Sequence, residues 1–475
     1  MFSRYENLYL LYYIKIYKTF LKIIFYFKII LFIIINLKII IAEKKLSKNL
    51  IISNNALSLE MNLSSYKIIN KKIRIAFYTY SLKGGGTERL TSLFINYFSK
   101  IKIFNIFLFT QSPKEANEFI IPINVRRKFI EGGIIRNVIK ELLKKRIEIF
   151  IYQFPKGNEI EILNNLNNTK IIFYENSCFL YWIYFDYFSF KSIYNSYKNS
   201  KYVISLIPFE NDYLFKKWGI NSILMDNFIT YEYNNVIPSD LSSQNIIMIG
   251  RTNDRMKRFQ LGVESMKYIT KEMPKSKMII ISNLNYIDYL KNLVNLWELQ
   301  KNVIFVNYSS TPEIYYKNSS LHIFPSISES FGLVLSEIKI YGIPTILVGL
   351  DYISLSIGGT VIIYDNNSKS IAKEAIKILK DKIYRKKLGK DARKSMRKFK
   401  NELILKKWIK IILSIYNNTN YFQKLREHSN KISYKAYINI LNNQINLLKM
   451  KIKKFKNITI KNIENFTFMN KIELN

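Results

Sequence analysis

The feature that most constrains the fold is an alternation of short apolar segments with helix-length segments, which occurs twice along the chain. The first set of apolar segments lies at 73–79 and near 103–109, 148–152, 171–174 and 202–206. The second set lies at 245–250 and near 277–282, 303–306, 321–324, 345–348 and 360–364. Alternating strands and helices form parallel sheets with helices on both faces. The sequence therefore predicts an α/β protein with two Rossmann-like, doubly wound domains.

The length of 475 residues suits two or three domains. We predict an N-terminal hydrophobic segment with a linker at 1–70, a first Rossmann-like domain at 71–235, a second at 236–420 and a basic tail at 421–475. The stretch 236–243 is polar and contains a proline, so the hinge between the domains is expected there. Two such domains side by side leave a cleft at the carboxyl ends of their strands, where these folds bind ligands.

The charge balance is strongly basic, with 73 Lys and Arg residues against 35 acidic ones and a formal net charge of +38. This balance is compatible with nucleic acid or with an anionic membrane surface as a partner. However, the lysines occur in every region, and an AT-rich genome produces the same overuse of Ile, Lys, Asn, Tyr and Phe. Aromatic and basic residues do not cluster into an RNA- or DNA-binding motif. We therefore predict no nucleic-acid partner, and expect weak attraction to anionic lipid or phosphorylated substrates.

The cysteine and histidine content argues against metal chemistry. Cys178 is the only cysteine, and His322 and His428 are far apart in the sequence. No internal disulfide or cysteine-rich metal site is therefore possible. His322 lies within an apolar strand pattern, so we interpret it as a packed core residue. We expect no bound cofactor and no metal.

Residues 20–42 form the most apolar segment of the chain, with seventeen Ile, Leu or Phe among twenty-three residues. Only Lys28 lies near the middle, while Lys22 and Lys38 are close enough to the ends to extend to the headgroups. We predict a single membrane-spanning anchor, which would make the protein membrane-associated. A cleaved signal sequence and an apolar segment packed on the protein surface remain alternatives, and flanking lysines on both sides leave the orientation open.

The first motif with chemical meaning is the turn Gly84, Gly85 and Gly86, followed by Thr87-Glu88-Arg89. It joins the first predicted strand to a helix predicted over 87–98. Glycines allow the backbone to approach a ligand closely. The helix that follows directs its N–H groups at the turn, which favours an anion. By itself, an ordinary strand-helix turn explains this motif equally well.

The second motif follows the first strand of the second set, where Arg251 and Lys257 are six residues apart. A guanidinium and an ammonium on one strand-helix turn can converge on a diphosphate. A solvated basic turn in a basic protein is the alternative.

The third motif is a pair of carboxylates, Glu329 and Glu337, with seven residues between them. They bracket Ser330-Phe331-Gly332-Leu333 at the predicted start of a helix, where exposed N–H groups can bind phosphate. Glu337 is expected about 9 Å further along the helix axis. One ligand with the length of a nucleoside-diphosphate sugar can therefore contact both carboxylates.

Together, the three motifs resemble those of retaining glycosyltransferases of family 4, within glycosyltransferases group 1, which have the two-domain GT-B fold. The resemblance covers about residues 72–418 and includes Asn227, near the end of the first domain. It implies three catalytic residues, namely Glu329 at the donor sugar and Lys257 and Arg251 at the diphosphate. It further implies donor-binding roles for Gly84, Gly85, Gly86, Ser330, Phe331, Gly332, Leu333 and Glu337, the last of these at the ribose hydroxyls.

Two departures from the family pattern concern the acceptor and the base. Many relatives have a histidine in the first domain where this chain reads Tyr174-Glu175-Asn176-Ser177-Cys178, and Asn307 replaces a common glycine. The resemblance implies a hexosyltransferase that moves a sugar from a nucleoside diphosphate to an acceptor hydroxyl on a glycan or glycolipid. The alternatives are a non-catalytic binding subunit and, less favoured, a glycan phosphorylase, since no lysine motif for pyridoxal phosphate is recognisable.

Overall fold

The computed structural model describes residues 71–425, apart from 134, 154–156, 179–195, 209, 212–213, 216–218, 221, 309–310 and 366. The predicted membrane span at 20–42 and most of the basic tail, 426–475, lie outside the described residues. Within the described ranges no helix is long and apolar enough to cross a membrane.

The first lobe is built on a parallel sheet whose strands run in the order β3-β2-β1-β4-β5-β6-β7. Its described strands are β1 (Ile73–Thr79), β2 (Phe104–Thr110), β3 (Arg126–Phe129), β4 (Ile149–Gln153), β5 (Lys170–Glu175), β6 (Tyr202–Ser205) and β7 (Ser222–Leu224). Helices α1 (Gly86–Phe98), α2 (Ile135–Lys144) and α3 (Gly157–Asn164) connect them. Strands β4 and β6 are buried along their whole length, as expected for a parallel sheet covered on both faces.

The second lobe has a parallel sheet in the order β10-β9-β8-β11-β12-β13. Its strands are β8 (Asn245–Ile249), β9 (Lys277–Ser282), β10 (Val303–Asn307), β11 (Leu321–Phe324), β12 (Thr345–Val348) and β13 (Thr360–Ile363). The helices are α4 (Phe259–Glu272), α5 (Asp288–Leu296), α6 (Glu313–Lys317), α7 (Leu333–Ile340), α8 (Ser368–Lys380) and α9 (Lys382–Ser395). The prediction of two doubly wound α/β domains is thus confirmed. So is the packed position of His322, which is fully buried in β11.

Strands β3 and β7 were missed by the sequence analysis. β3 reads Arg-Arg-Lys-Phe and is largely exposed, because it lies at the edge of the sheet. β7 has three residues and forms the other edge. The solvent-exposed β3 lacks the continuous apolar run that identifies a central strand, whereas β7 is buried but too short to give a recognisable pattern.

The last described helix, α10 (Asn401–Tyr416), returns to the first lobe. Its Trp408 is fully buried and packs edge-on against Phe94 of α1 and Tyr174 of β5. Lys170 donates to the carbonyl groups of Ile415 and Tyr416, where a helix C-terminus favours a cation. The predicted extent of the second domain, 236–420, therefore included a helix that packs on the first lobe.

The stretch 236–243, predicted as the hinge, is bonded to the second lobe instead. The N–H of Ser239 donates to the carbonyl of Tyr341, and its hydroxyl donates to the carbonyl of Ser319. Arg393 of α9 donates to the carbonyl of Val236. The chain therefore leaves the first lobe before residue 236. Polar residues and a proline indicated a loop correctly, but they do not reveal which lobe that loop packs against.

Candidate active site

The glycine turn of the first lobe faces the start of α7 in the second lobe. A Cβ atom at Gly86 would lie 3.9 Å from Cδ1 of Leu333, an ordinary van der Waals contact, so the glycine turn lies beside the Leu333 side chain. Gly84 has φ of +92°, a conformation that disfavours L side chains. The carboxyl ends of β1 and β11 thus bring the first and third motifs to the same place.

Lys257 and Glu329 form an ion pair in the second lobe, with Nζ 2.5 Å from Oε1. Their side chains are 23% and 12% exposed, so the pair is screened from most of the solvent but accessible from the cleft. Lys257 ends a 3-10 turn in which the Asp254 carboxylate accepts the N–H of Met256. This turn fixes the start of the lysine side chain near the loop that carries Glu329.

Arg258 holds these two loops together, a role that the sequence analysis missed. It adopts the left-handed conformation, with φ of +47°, and is buried. Its Nε donates to the carbonyl of Pro325 at 2.6 Å, on the loop between β11 and α7. Arg258 is adjacent to Lys257 in the sequence, and only the long-range contact with Pro325 distinguishes its role from that of Lys257.

Arg251 is the most exposed of the three predicted catalytic residues. Its side chain is 62% exposed and lies 3.2 Å from the carboxylate of Asp254. It also lies close enough to Glu88 of the first lobe to act on its charge. Burial raises the pKa of Glu88, and the Arg251 guanidinium opposes that rise. The second motif therefore faces the first motif across the cleft.

The third motif forms a tight turn and a short helix. Gly332 has φ of +84° and precedes α7, whose first residue is Leu333. Glu337 is therefore the fifth residue of the helix, about 6 Å along its axis instead of the predicted 9 Å. Phe331 is buried, with its ring 5.6 Å from that of Phe399, so its side chain belongs to the core. Its backbone N–H is the group that remains for a ligand.

Glu337 is enclosed by donors from both lobes. Arg89 of α1 lies 2.8 Å from Oε1, and the hydroxyl of Thr230 donates to the same oxygen at 2.7 Å. The hydroxyl of Tyr316 donates to Oε2 at 2.7 Å, and the Glu337 side chain is 1% exposed. The ribose contact implied by the resemblance stays a prediction, and it requires a rearrangement of these partners. The arginine of the first motif was the sequence signal that could have identified Arg89.

Tyr352 is a further residue that no sequence signal indicated. Its hydroxyl accepts the N–H of Glu329 at 3.3 Å and lies 3.8 Å from Sγ of Cys178 in the first lobe. The loop that carries it is fixed by Lys339 of α7, whose buried Nζ donates to the carbonyl groups of Leu355 and Ile357 at 2.7 and 2.6 Å. The position of Glu329 is therefore supported by a contact that reaches the opposite lobe.

The space beside the ion pair is small. The hollow lined by Lys257, Phe324 and Ser326 holds about 10 Å³. Sites for small molecules usually measure about 300–1,000 Å³. All of its lining residues belong to the second lobe, so this hollow is only a recess beside Lys257 and is too small to hold a donor by itself.

Comparison with known proteins identifies the second lobe. A family model described as glycosyl transferases group 1 matches residues 232–395. The second lobe is therefore similar to that family. The matched range contains Arg251, Lys257, Glu329 and Glu337, the four charged residues predicted from the second and third motifs. The resemblance inferred from the motifs is confirmed at this level.

Two curated proteins illustrate the relationship. The chain is 24% identical over 157 residues to the poly(glycerol-phosphate) alpha-glucosyltransferase of Bacillus subtilis, which covers 32% of this chain and 23% of that protein. It is 27% identical over 163 residues to an uncharacterized glycosyltransferase of Methanocaldococcus jannaschii, covering 32% of this chain and 40% of that protein. The chain thus spans less than half the length of either relative.

Solved structures share the whole two-lobed arrangement. The sucrose-phosphate synthase of Thermosynechococcus elongatus superimposes with a TM-score of 0.63 at 16% identity, covering 73% of this chain and 100% of that one. Anabaena HepE, solved in complex with UDP and glucose, gives a TM-score of 0.60 at 13% identity, covering 72% and 100%. The fold of this chain is GT-B, as the motif resemblance implied.

Proposed function

We propose that this protein is a retaining, metal-independent glycosyltransferase that moves a sugar from a nucleoside diphosphate to an acceptor hydroxyl on a glycan or glycolipid. The observation that carries the proposal is the Lys257–Glu329 ion pair on the loop before α7, a helix whose first residue, Leu333, lies next to the glycine turn of the opposite lobe. The group 1 domain and the similarity to a curated glucosyltransferase support it.

The ion pair is arranged to separate when a donor binds. Lys257 is expected to turn to the diphosphate, while Glu329 accepts hydrogen bonds from hydroxyl groups of the sugar. Lys257 then exchanges one charged partner for another, and Glu329 exchanges its ion pair for hydrogen bonds, so neither charge is left buried without a partner, which would be costly. Without a donor, the pair keeps both side chains in the cleft in nearly their working positions.

Bond breaking places negative charge on the departing diphosphate. Lys257, Arg251 and the N–H groups at 331–333 are positioned to stabilise that charge. The acceptor oxygen forms the new bond on the same face of the sugar, and its proton passes to the departing diphosphate. No carboxylate is assigned as a nucleophile. Closure of the lobes excludes water, which limits hydrolysis of the donor.

Two substitutions test the proposal. Glu329→Ala and Lys257→Ala are each expected to reduce transfer by at least about 10²-fold, which is typical when a group that stabilises transition-state charge is removed. UDP-sugars are the first donors to try, because HepE was solved with UDP and glucose. Lys387→Ala, at an exposed position on α9, is the matched control. Near-normal transfer by both variants, with cooperative unfolding retained, would end the assignment.

A second candidate is a binding subunit that keeps the GT-B fold without catalysis. The enclosure of Glu337 by three donors favours it, because an occupied carboxylate is not free to bind a ribose. Calorimetry with nucleoside diphosphates and a transfer assay on the same sample separate the two candidates. Binding without turnover supports the subunit, while turnover that is unchanged by EDTA supports the metal-independent enzyme.

A further inference from the structure

A second hollow lies on the first lobe, at the end of the sheet away from the glycine turn. It measures about 250 Å³. Lys72 precedes β1, Phe104 begins β2 and Arg126 begins β3, so the hollow is at the amino ends of these strands. The glycine turn follows the carboxyl end of β1. One strand of seven residues, about 23 Å long, therefore separates this hollow from the proposed active site.

The lining of this hollow is suited to a phosphate group. Lys72 and Arg126 are both exposed, and Asn105 and Asn124 add amide groups beside them. Among the described residues no carboxylate lies within ion-pair distance of either cation. The Arg126 guanidinium is held 5.4 Å from the centre of the Phe107 ring. An ammonium, a planar guanidinium and amide donors together match the oxygens of a phosphate.

Two large apolar side chains project next to these cations. Ile123 is fully exposed and adjoins Asn124 of the lining, and Ile120 is 73% exposed. The loop that carries them is fixed, because the carbonyl of Ile120 accepts hydrogen bonds from Ser92 and Asn96 of α1. Single exposed apolar residues are ordinary, but a pair on a fixed loop beside an anion-binding hollow is a combination that suits a lipid interface.

We propose that this surface, comprising the hollow and the 120–123 loop, docks on an anionic lipid bilayer. A lipid phosphate occupies the hollow between Lys72 and Arg126, and the two isoleucines enter the boundary between headgroups and acyl chains. Charge complementarity favours this partner, since the protein carries +38 and anionic lipids attract basic segments. The chain also enters the lobe at Lys72, thirty residues after the end of the segment for which the sequence predicts a membrane span.

The test uses the full chain and a local reporter, because the predicted span at 20–42 could bring the protein to any vesicle. Ile123→Cys is labelled with an environment-sensitive fluorophore, while the native Cys178 is buried and protected from labelling. Vesicles of phosphatidylcholine with phosphatidylglycerol are expected to shift the emission to the blue. Vesicles of phosphatidylcholine alone are expected to leave it unchanged.

Charge reversal then locates the site. Lys72→Glu with Arg126→Glu is expected to raise the lipid concentration at half-response by about tenfold or more, because each cation near the surface contributes to binding. The control pair Lys387→Glu with Lys390→Glu lies at exposed positions on α9 and makes the same change in net charge. It is expected to change the lipid concentration at half-response by less than twofold. Lys72→Gln with Arg126→Gln gives an intermediate effect and covers the case that the reversed variant misfolds.

Three outcomes would overturn the proposal. They are an equal shift on neutral vesicles, an equal loss with the control pair, and a shift produced by inorganic phosphate or nucleic acid but not by anionic vesicles. Transfer to a soluble acceptor without lipid is expected to be unchanged by the Lys72 and Arg126 substitutions. Failure of this proposal is therefore distinguishable from failure of the proposed enzymatic function.

Discussion

Nη1 of Arg89 lies 2.8 Å from Oε1 of Glu337, and this ion pair joins the first helix of one lobe to the motif helix of the other. The carboxylate is 1% exposed and the arginine side chain is 30% exposed. A buried carboxylate without a charged partner is unfavourable. The contact therefore favours the closed arrangement of the lobes when no ligand is present. A donor that reaches Glu337 has to replace this interaction with its own hydrogen bonds.

The first prediction concerns this pair. Arg89→Met is expected to lower the free energy of unfolding by about 2–4 kcal/mol, less than for a fully buried pair because Arg89 is partly exposed. Urea denaturation of the single variants and of the double variant with Glu337→Gln measures the coupling. A coupling energy of at least about 1 kcal/mol is expected for residues in direct contact. Additive effects of the two substitutions would contradict a direct interaction.

The second prediction separates function from stability at Arg251. Because this side chain is 62% exposed and its partner Asp254 is a near neighbour, Arg251→Ala is expected to shift Tm by less than about 2 °C. If it stabilises the departing diphosphate, kcat/KM falls by about 10- to 10²-fold. Steady-state transfer rates and a thermal melt on the same sample check both parts. An unchanged kcat/KM would remove Arg251 from the site.

The third prediction tests the close approach of the lobes at Gly86. A Cβ atom there would make an ordinary contact with Leu333, so Gly86→Ala is expected to be tolerated. Gly86→Leu places further carbons in the same space and is expected to hold the lobes apart. Donor affinity and transfer should therefore fall with Leu but not with Ala. Small-angle X-ray scattering provides the control, since only the Leu variant should be more extended.

The fourth prediction is a pH dependence caused by His322. Burial lowers the pKa of this histidine from 6.5 to about 3. Between these values the unfolded chain binds a proton that the folded protein does not. The free energy of unfolding therefore falls with decreasing pH in this range, by about 1.4 kcal/mol per pH unit. His322→Phe is expected to lose this slope, while the two proteins differ by a constant amount above pH 7. If the free energy of unfolding of wild type and that of His322→Phe change in parallel down to pH 4, the prediction is wrong.

The fifth prediction concerns Lys339. Burial lowers the pKa of its ammonium from 10.5 to about 7, and the charge of Lys398 adds to this effect. Between pH 7 and 10.5 the unfolded chain binds the additional proton, so the free energy of unfolding rises with pH. The difference between wild type and Lys339→Met should increase from pH 7 to 9.5, measured by urea denaturation. A constant difference across that range would show that the lysine titrates normally.

Much of the fold follows from the sequence because central parallel strands are continuous apolar runs. Strands β9, β11 and β12 match the predicted bounds for this reason. β3 was not predicted, because this exposed edge strand has the sequence Arg-Arg-Lys-Phe and lacks an apolar run. Motif spacing likewise identified Lys257 and Glu329 as candidates. The local pattern could not reveal that Glu337 is enclosed, because Arg89 and Thr230 come from distant parts of the chain.

The return of α10 to the first lobe determines how the cleft can open. The chain passes from one lobe to the other before residue 236 and passes back near residue 400. Asn401 links the two passages, since its side chain accepts the N–H of Ile229 at 2.8 Å and donates to the carbonyl of the same residue at 2.9 Å. Two lobes that are joined by two neighbouring chain segments can rotate relative to each other about those segments. We therefore expect a small rotation near Asn401 to widen the cleft most on its far side, which would give the donor an entrance while the buried aromatic rings around Trp408 keep their packing.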